Sequence, residues 1–295
     1  MTRRPGLSMT EVLVALFLMA IGVIGVLTMF PVGAVQMGLA LKDQRCAEAA
    51  TQADAYMRWY WKHEIVEKQG GGEALWTALG GAVLPTDPNY NKPSPPVFVD
   101  PMGVVAGRPG TITGTGIQRK ILNQITSAPQ ALRTCTLLDG FTYGSTGLPT
   151  LGGSGLEREN RYNWLWVIQR PVNKQKYNAN MTIVVFDKRA HMYIPPNAEH
   201  AITGSIFSTG STAVSLGSAY GPIQKGQWLM DASTATVQLA DFYRVSSVSG
   251  TQVELNLPVR TPLGGGSRTG GNAVYLDGAA EVFERPIMTA DGAAP

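Results

Sequence analysis

The sequence predicts an α+β protein, a long N-terminal hydrophobic helix packed on a mainly antiparallel β head. Three observations carry that expectation. From 12 to 41 there is no Asp, Glu, Lys or Arg. From 35 to 68 apolar residues recur at steps of three and four, the period of one helical face. From 161 onward short runs rich in Val, Ile, Thr and aromatics alternate with turn residues, as antiparallel strands do.

Residues 12–30 would be about 28 Å long as a helix, close to the thickness of a bilayer core. Val12, Leu13, Leu16, Phe17, Ile21, Ile24, Leu27 and Phe30 are its bulky apolar positions. Gly22, Gly25 and Gly33 weaken a helix by roughly 1 kcal/mol each relative to Ala but allow close approach of another helix. Pro31 removes a backbone donor and should bend or loosen the helix near Met29 and Phe30. Arg3 and Arg4 precede the run, so positive charge would hold the short N-terminus in the cytoplasm and export the rest. Export signals and plain anchors share these features. Neither accounts for Glu11, a lone carboxylate at the mouth of the apolar run. A carboxylate at a helix centre costs roughly 2.5–3.5 kcal/mol, and less near an interface. An acid in that position is a functional residue by default, with a partner to be named.

Beyond Leu41 the helix is expected to become amphipathic. Cys46, Ala49, Ala50, Ala53, Met57 and Tyr60 form one face, with Lys42, Asp43, Arg45, Glu48, Gln52, Asp54 and Arg58 elsewhere. Trp59, Tyr60 and Trp61 form an aromatic knot expected to pack in the core, the alternative being an interfacial belt against lipid or a neighbouring subunit. Gly70-Gly71-Gly72 should end the helix. The chain thus divides into a spine helix at 7–69 (7–34 apolar, 35–69 amphipathic), an irregular and helical part at 70–160, and a β-rich part at 161–295. Within 70–160, a short helix is expected at 73–79, an irregular proline-rich connection at 85–109, and a helix at 117–132, whole or parted by Pro129. In the last part, 162–169 is apolar on both faces and reads as a central strand. Further strands are expected at 181–186, 202–208, 213–216, 227–230, 241–248, 251–257, 273–276 and 281–285, in an antiparallel sheet or small barrel.

Composition narrows the function classes. Charged residues are 15% of the 295, against about 25% in ordinary soluble domains. A formal charge of +3 is too small to suggest a nucleic-acid partner, and the loose basic group Lys174, Lys176, Lys188 and Arg189 reads as a solvated face. His63, His191 and His200 lack metal-ligand spacing, and no nucleophile elbow, Walker loop or H-E-x-x-H is present. Asp87, Asn89 and Asn91 alternate, but Pro88 and Pro93 make a turn the better reading. No catalytic role, cofactor or metal is therefore expected. Cys46 and Cys135 form neither a disulfide framework nor a zinc site; a single bridge between them is allowed outside the cytoplasm, and two unpaired thiols are the alternative.

Gly6 followed by Leu7-Ser8-Met9-Thr10-Glu11-Val12-Leu13-Val14-Ala15-Leu16 resembles the N-terminus of type IV prepilins and type II secretion pseudopilins. The Glu-Val-Leu-Val-Ala-Leu run and Ile21-Gly22-Val23-Ile24-Gly25-Val26 are most similar to the PilV and GspI type of minor pilin. Leu7, where Phe or Met is commoner, and the offset of Pro31 depart from the pattern. The resemblance covers about a tenth of the chain and implies nothing about the head. It implies a leader at 1–6 cut after Gly6 by a prepilin peptidase, an N-methylated Leu7, and Glu11 as the acid that pairs with an N-terminal amine during assembly. That amine would lie four residues from Glu11 in its own chain, one helical turn away. The implied partners are the peptidase, other pilin or pseudopilin subunits and an inner-membrane assembly platform. The implied location is the inner membrane with the head in the periplasm, then a pilus or pseudopilus. A membrane-tethered binding module acting outside any fibre is the alternative.

Overall fold

A computed structural model describes residues 9–81, 83–84, 86–105, 107, 110–112, 114–137, 146, 148, 151–152, 155–156, 161–172, 176–187, 189, 199–268 and 271–290. The chain divides into two compact units, Met1–Arg45 and Cys46–Pro295. Helix α1 runs over Met9–Tyr60 and continues as a π-helical turn at Trp61–Val66. The expected spine is therefore present, and its helical geometry persists through Pro31.

In the first unit every described residue from 9 to 41 is exposed. In the second, the buried residues of α1 are Cys46, Ala49, Ala50, Ala53, Met57 and Tyr60, the same six positions that the helical period selects. The small side chains of Cys46, Ala49, Ala50 and Ala53 let a sheet of large residues come close. The indole of Trp166 donates from Nε1 to the carbonyl of Ala53 at 2.9 Å. The aromatic knot splits. Tyr60 and Trp61 are wholly buried while Trp59 is half-exposed, and Trp61 Nε1 donates to the Tyr177 carbonyl at 2.9 Å. The helix ends through Gln69, Gly70 and Gly72, all with positive φ. A Cβ on Gly70 would lie 2.0 Å from the Trp76 ring, so close packing as well as backbone conformation excludes any other residue there.

After α2 (Ala74–Ala78), as expected, comes the first departure. The proline-rich stretch holds strand β1 (Val97–Val99) and helix α3 (Pro101–Val105). The expected helix at 117–132 is also corrected. Gln118–Lys120 is strand β3, and only Ala128–Cys135 is helical (α4), with Pro129 in its first turn. Proline is tolerated there because that N–H has no helical partner. With β2 (Gly110–Thr111) these strands join β6 (Tyr162–Gln169), β7 (Ala179–Asp187) and β15 (Ala279–Met288) in a six-stranded sheet ordered β15-β7-β6-β1-β3-β2. Residues 70–160, expected to be an irregular and helical part of the head, thus also supply three of the six strands of its main sheet. The β1–β3 pair is parallel and its other pairs are antiparallel. A small hairpin, β4 (Leu151–Gly152) and β5 (Gly155–Leu156), stands apart from it.

The second sheet has seven strands: β8 (Glu199–Thr203), β9 (Ile206–Phe207), β10 (Ala213–Ser215), β11 (Trp228–Asp231), β12 (Asp241–Ser249), β13 (Gln252–Leu255) and β14 (Asn272–Leu276). Their order is β8-β14-β11-β12-β13-β10-β9. The expected strand at 202–208 is therefore two strands, broken at Gly204 and Ser205, at opposite ends of the order. Flat, seven strands would hold those ends about 29 Å apart. Two linking residues span about 11 Å, so the sheet is rolled. Ile202, Phe207, Val214, Leu229, Tyr243, Val253 and Tyr275, one from each strand, meet in a single core.

Three layers result in the second unit. On one face of the six-stranded sheet Trp164, Trp166, Ile168, Met181, Ile183 and Val185 pack with the buried stripe of α1. On the other, Phe98, Leu165, Val167, Val184 and Phe186 pack with Met230, Phe242, Val274 and Leu276 of the rolled sheet. Cys46 and Cys135 are both buried in the first of these cores as free thiols; the bridge that the sequence allowed is not formed.

Candidate functional site

Glu11 lies exposed in the first turn of α1. A carboxylate there is favoured by the positive end of the helix dipole, by about 0.3–1 kcal/mol at an exposed position. The bulky apolar positions around and beyond it are open. Leu13 is 57% exposed, Phe17 66%, Ile24 60% and Phe30 80%, and Val12, Leu16, Ile21 and Leu27 are exposed too. The α1 helix is long and apolar enough to cross a membrane, with none of its most apolar window buried. Cβ atoms placed on Gly22, Gly25, Gly33 or Gly38 would touch nothing. Gly6 and Leu7, the expected processing positions, lie outside the described residues.

In the head, polar chemistry gathers at three places. The first is a buried chain of alternating charge. Arg189 holds both oxygens of Asp100 (2.9 and 2.7 Å), Arg119 Nε lies 3.3 Å from the same carboxylate, and Arg119 also binds Glu199. The Gly103 N–H donates to Asp100 at 2.9 Å, and a Cβ at Gly103 would lie 2.2 Å from that carboxylate. Burial pushes the Asp100 carboxyl up, but Arg189 and Arg119 overcome it and hold it below the usual range. This chain ties β1 and β3 of one sheet to β8 of the other. Its four charges cancel, which suits a structural clasp.

The second place is the end of the spine. Tyr60 donates to the buried carboxylate of Glu73, and burial together with that bond pushes the phenol well up. Arg170 spreads over the Trp76 ring at 4.8 Å and donates to the carbonyls of Leu79 and Gly80 at 3.3 and 3.0 Å. The first ties the end of α1 to the start of α2, and the second ties α2 and the turn after it to the end of β6.

The third place is a cleft between the two sheets, of about 160 Å³. Val167 and Phe242 contribute apolar walls, and Gln169, Asn180, Thr182, Asp241, Arg260 and Glu284 the polar ones. Arg260 pairs with Glu284. Asp241 is pushed up to about 6 by burial and by the neighbouring Asp231 charge, against the pull of Arg260 and Arg268.

Among the described residues no group of His, Cys, Asp and Glu could hold a metal ion. His63 pairs with Glu67 at 2.9 Å and His200 stacks on Tyr220 at 3.9 Å. Arg189, read from the sequence as part of a solvated basic face, is instead buried in the clasp; its companions Lys174 and Lys188, and His191, lie outside the described residues. The cleft was missed by sequence reasoning because its polar residues come from five separate segments. The available signal was a polar residue ending an otherwise apolar strand face, as at Gln169.

No family model matches the chain, and no curated protein matches it. Among solved structures, the chain is similar to part of a phage phi92 endosialidase. The match is at 15% identity over 43% of this chain and 18% of that one, with a TM-score of 0.20. A likeness that slight says nothing about fold or activity.

Proposed function

We propose that the chain is a minor pilin or pseudopilin, cleaved after Gly6 and assembled from the inner membrane into a type IV pilus or a type II secretion pseudopilus. The observation that carries the reading is Glu11, the single carboxylate at the start of an otherwise charge-free and fully exposed helix surface. In the bilayer that surface faces lipid. In a fibre it faces the same surface of neighbouring subunits, and Glu11 meets a neighbour's N-terminal amine away from water. An ion pair in low dielectric is far stronger than one at a solvated surface, so the pairing favours registered association over lateral diffusion. The head lies outside the membrane, in the periplasm. A prepilin peptidase, fellow subunits and an inner-membrane platform are its partners.

Glu11→Ala tests the role. The variant should insert in the membrane in normal amount and fail to enter fibres, measured by fractionating sheared filaments from membranes. Normal incorporation removes Glu11 from the mechanism. Mass spectrometry of the mature N-terminus tests processing: a methylated Leu7 is expected, and an N-terminus at Met1 overturns the reading. A chain that matures and localises alike with and without the peptidase is a tethered module instead.

A further inference from the structure

The layer between the two sheets is apolar along most of its length. Leu165 and Val167 on β6, Val184 and Phe186 on β7 and Val282 on β15 face the rolled sheet. At one end of the same face the row turns polar. Gln169 lies opposite Asn180, Val167 opposite Thr182, and Thr182 opposite Glu284. Cross-strand neighbours on one face have their Cβ atoms roughly 5 Å apart, so these side chains form a contiguous polar floor on rigid strands. Phe242 of β12, with Arg260, closes the cleft from the rolled sheet, and Asp241 borders it from the opposite face of β12, which it shares with Asp231.

The hydrogen-bonding capacity of this floor is largely unspent. The Gln169 amide donates to the Ser94 carbonyl at 2.9 Å, which leaves its oxygen available. Asn180 and Thr182 make no side-chain hydrogen bond to any described residue, while the Asp241 carboxylate lies 4.0 Å from the Arg268 guanidinium. A polar end to an inter-sheet layer needs only solvation to be stable. A partly open floor of amide, hydroxyl and carboxylate groups at the end of an apolar layer is a recognition surface.

We propose that this cleft binds a neutral, polyhydroxylated ring, a single sugar residue. Hydroxyls both donate and accept, and the floor offers both functions. The few atoms of Val167 and Phe242 that remain open, 5% and 7% of those residues, meet a C–H edge of such a ring. The charged lining residues Asp241, Glu284, Arg260 and Arg285 cancel, so an anion meets two carboxylates and a cation two guanidiniums. The volume is about half the ~300 Å³ low end of drug-sized pockets, enough for one ring with its neighbours outside. The proposal concerns the head alone and does not rest on the assembly reading.

The test is saturation-transfer NMR on the full chain in phosphatidylcholine–phosphatidylglycerol nanodiscs, free of glycolipid and of sugar-headed detergent. The probes are methyl pyranosides of glucose, galactose, mannose and N-acetylglucosamine, with glucuronate and glucosamine as charged comparators. At least one neutral glycoside should bind with a millimolar Kd. Asn180→Ala and Asp241→Asn should each weaken it tenfold or more, and Gln252→Ala, on the distant β13, should leave it unchanged. Thr182→Val, a near-isosteric change, serves wherever circular dichroism shows another variant unfolded. Absence of transfer from every neutral probe at tens of millimolar overturns the proposal. So does preference for a charged comparator, or binding that survives the cleft substitutions. None of these outcomes bears on cleavage or on Glu11.

Discussion

Residues 9–41 and residues 46–60 belong to one helix and treat apolar surface in opposite ways. The first stretch is mostly Leu, Ile, Val, Met and Phe with Gly and Ala between them, and all of it is exposed. The second buries a stripe of mostly small residues, and the bulk comes from the sheet: Trp164, Trp166, Met181 and Ile183. An apolar helix face with its partner in the same chain evolves to fit that partner, so its side chains shrink where the partner's are large. A face without one stays mostly bulky, with glycines where another helix can approach, which suits lipid or copies of itself. The difference is in side-chain size as much as in hydropathy.

Large-to-small substitution should separate the two stretches most sharply. Trp166→Ala removes a wholly buried indole and its bond to the Ala53 carbonyl, and should cost about 3–5 kcal/mol of head stability. Phe17→Ala removes a comparable ring from the exposed stretch and should leave head unfolding within about 0.5 kcal/mol. Thermal unfolding followed by near-ultraviolet circular dichroism reads both. Equal losses would mean that the first stretch is packed against the head after all.

The legibility of the sequence follows the same line. The α1 stripe was readable because a helix repeats its pattern over many turns: six positions from Cys46 to Tyr60 all obey it. Strand β6 was readable because eight residues alternate across two apolar faces. Strand β1 was not. It is three residues long and follows Pro95-Pro96 directly, too short for a period of two to register, and its burial comes from partners distant in sequence. At 117–132, Ile121, Leu122 and Ile125 mimic a helical stripe, yet they follow strand β3 in irregular chain and turns, with Leu122 and Ile125 buried in the core that α1 joins. Glu11 stood out because nothing near it is charged. The cleft did not, since Gln169, Asn180 and Glu284 become neighbours only through the β6–β7–β15 register.

Acid titration offers a second way to separate the stretches, because 12–41 carries no titratable side chain while the head has buried carboxylates of opposite kinds. Asp241, raised to about 6, holds its proton more tightly folded than unfolded. It therefore penalises folding above pH 6, and the penalty disappears as pH falls toward 4. Asp100, held low, stabilises at every pH above the ordinary carboxylate range and loses that contribution in stronger acid. Urea unfolding of the head should show stability rising by roughly 1–3 kcal/mol from pH 7 to pH 5 and falling below pH 4. Asp241→Asn should remove the rise and keep the fall. A profile that Asp241→Asn leaves unchanged assigns the rise to another group.

Small-to-large changes reverse the first experiment on a smaller scale. Ala53 is wholly buried beneath Trp166. Ala53→Leu overfills that contact and should cost about 1–3 kcal/mol, seen as a lower midpoint in urea.

The smallest effect separates the isolated chain from the assembled one. Space around Gly25 is open, so Gly25→Ala should strengthen the helix by up to about 1 kcal/mol in a single chain. The substitution removes no contact within the chain. If Gly25 is there for a neighbouring helix to approach, the added methyl blocks that approach, and Gly25→Leu blocks it further. The expected pattern is unchanged or higher helicity of the membrane-inserted chain by far-ultraviolet circular dichroism. Fibre incorporation should decline from Gly through Ala to Leu. Incorporation that rises with helicity would show that Gly25 serves no close contact, and that the exposed stretch needs only hydrophobicity and Glu11.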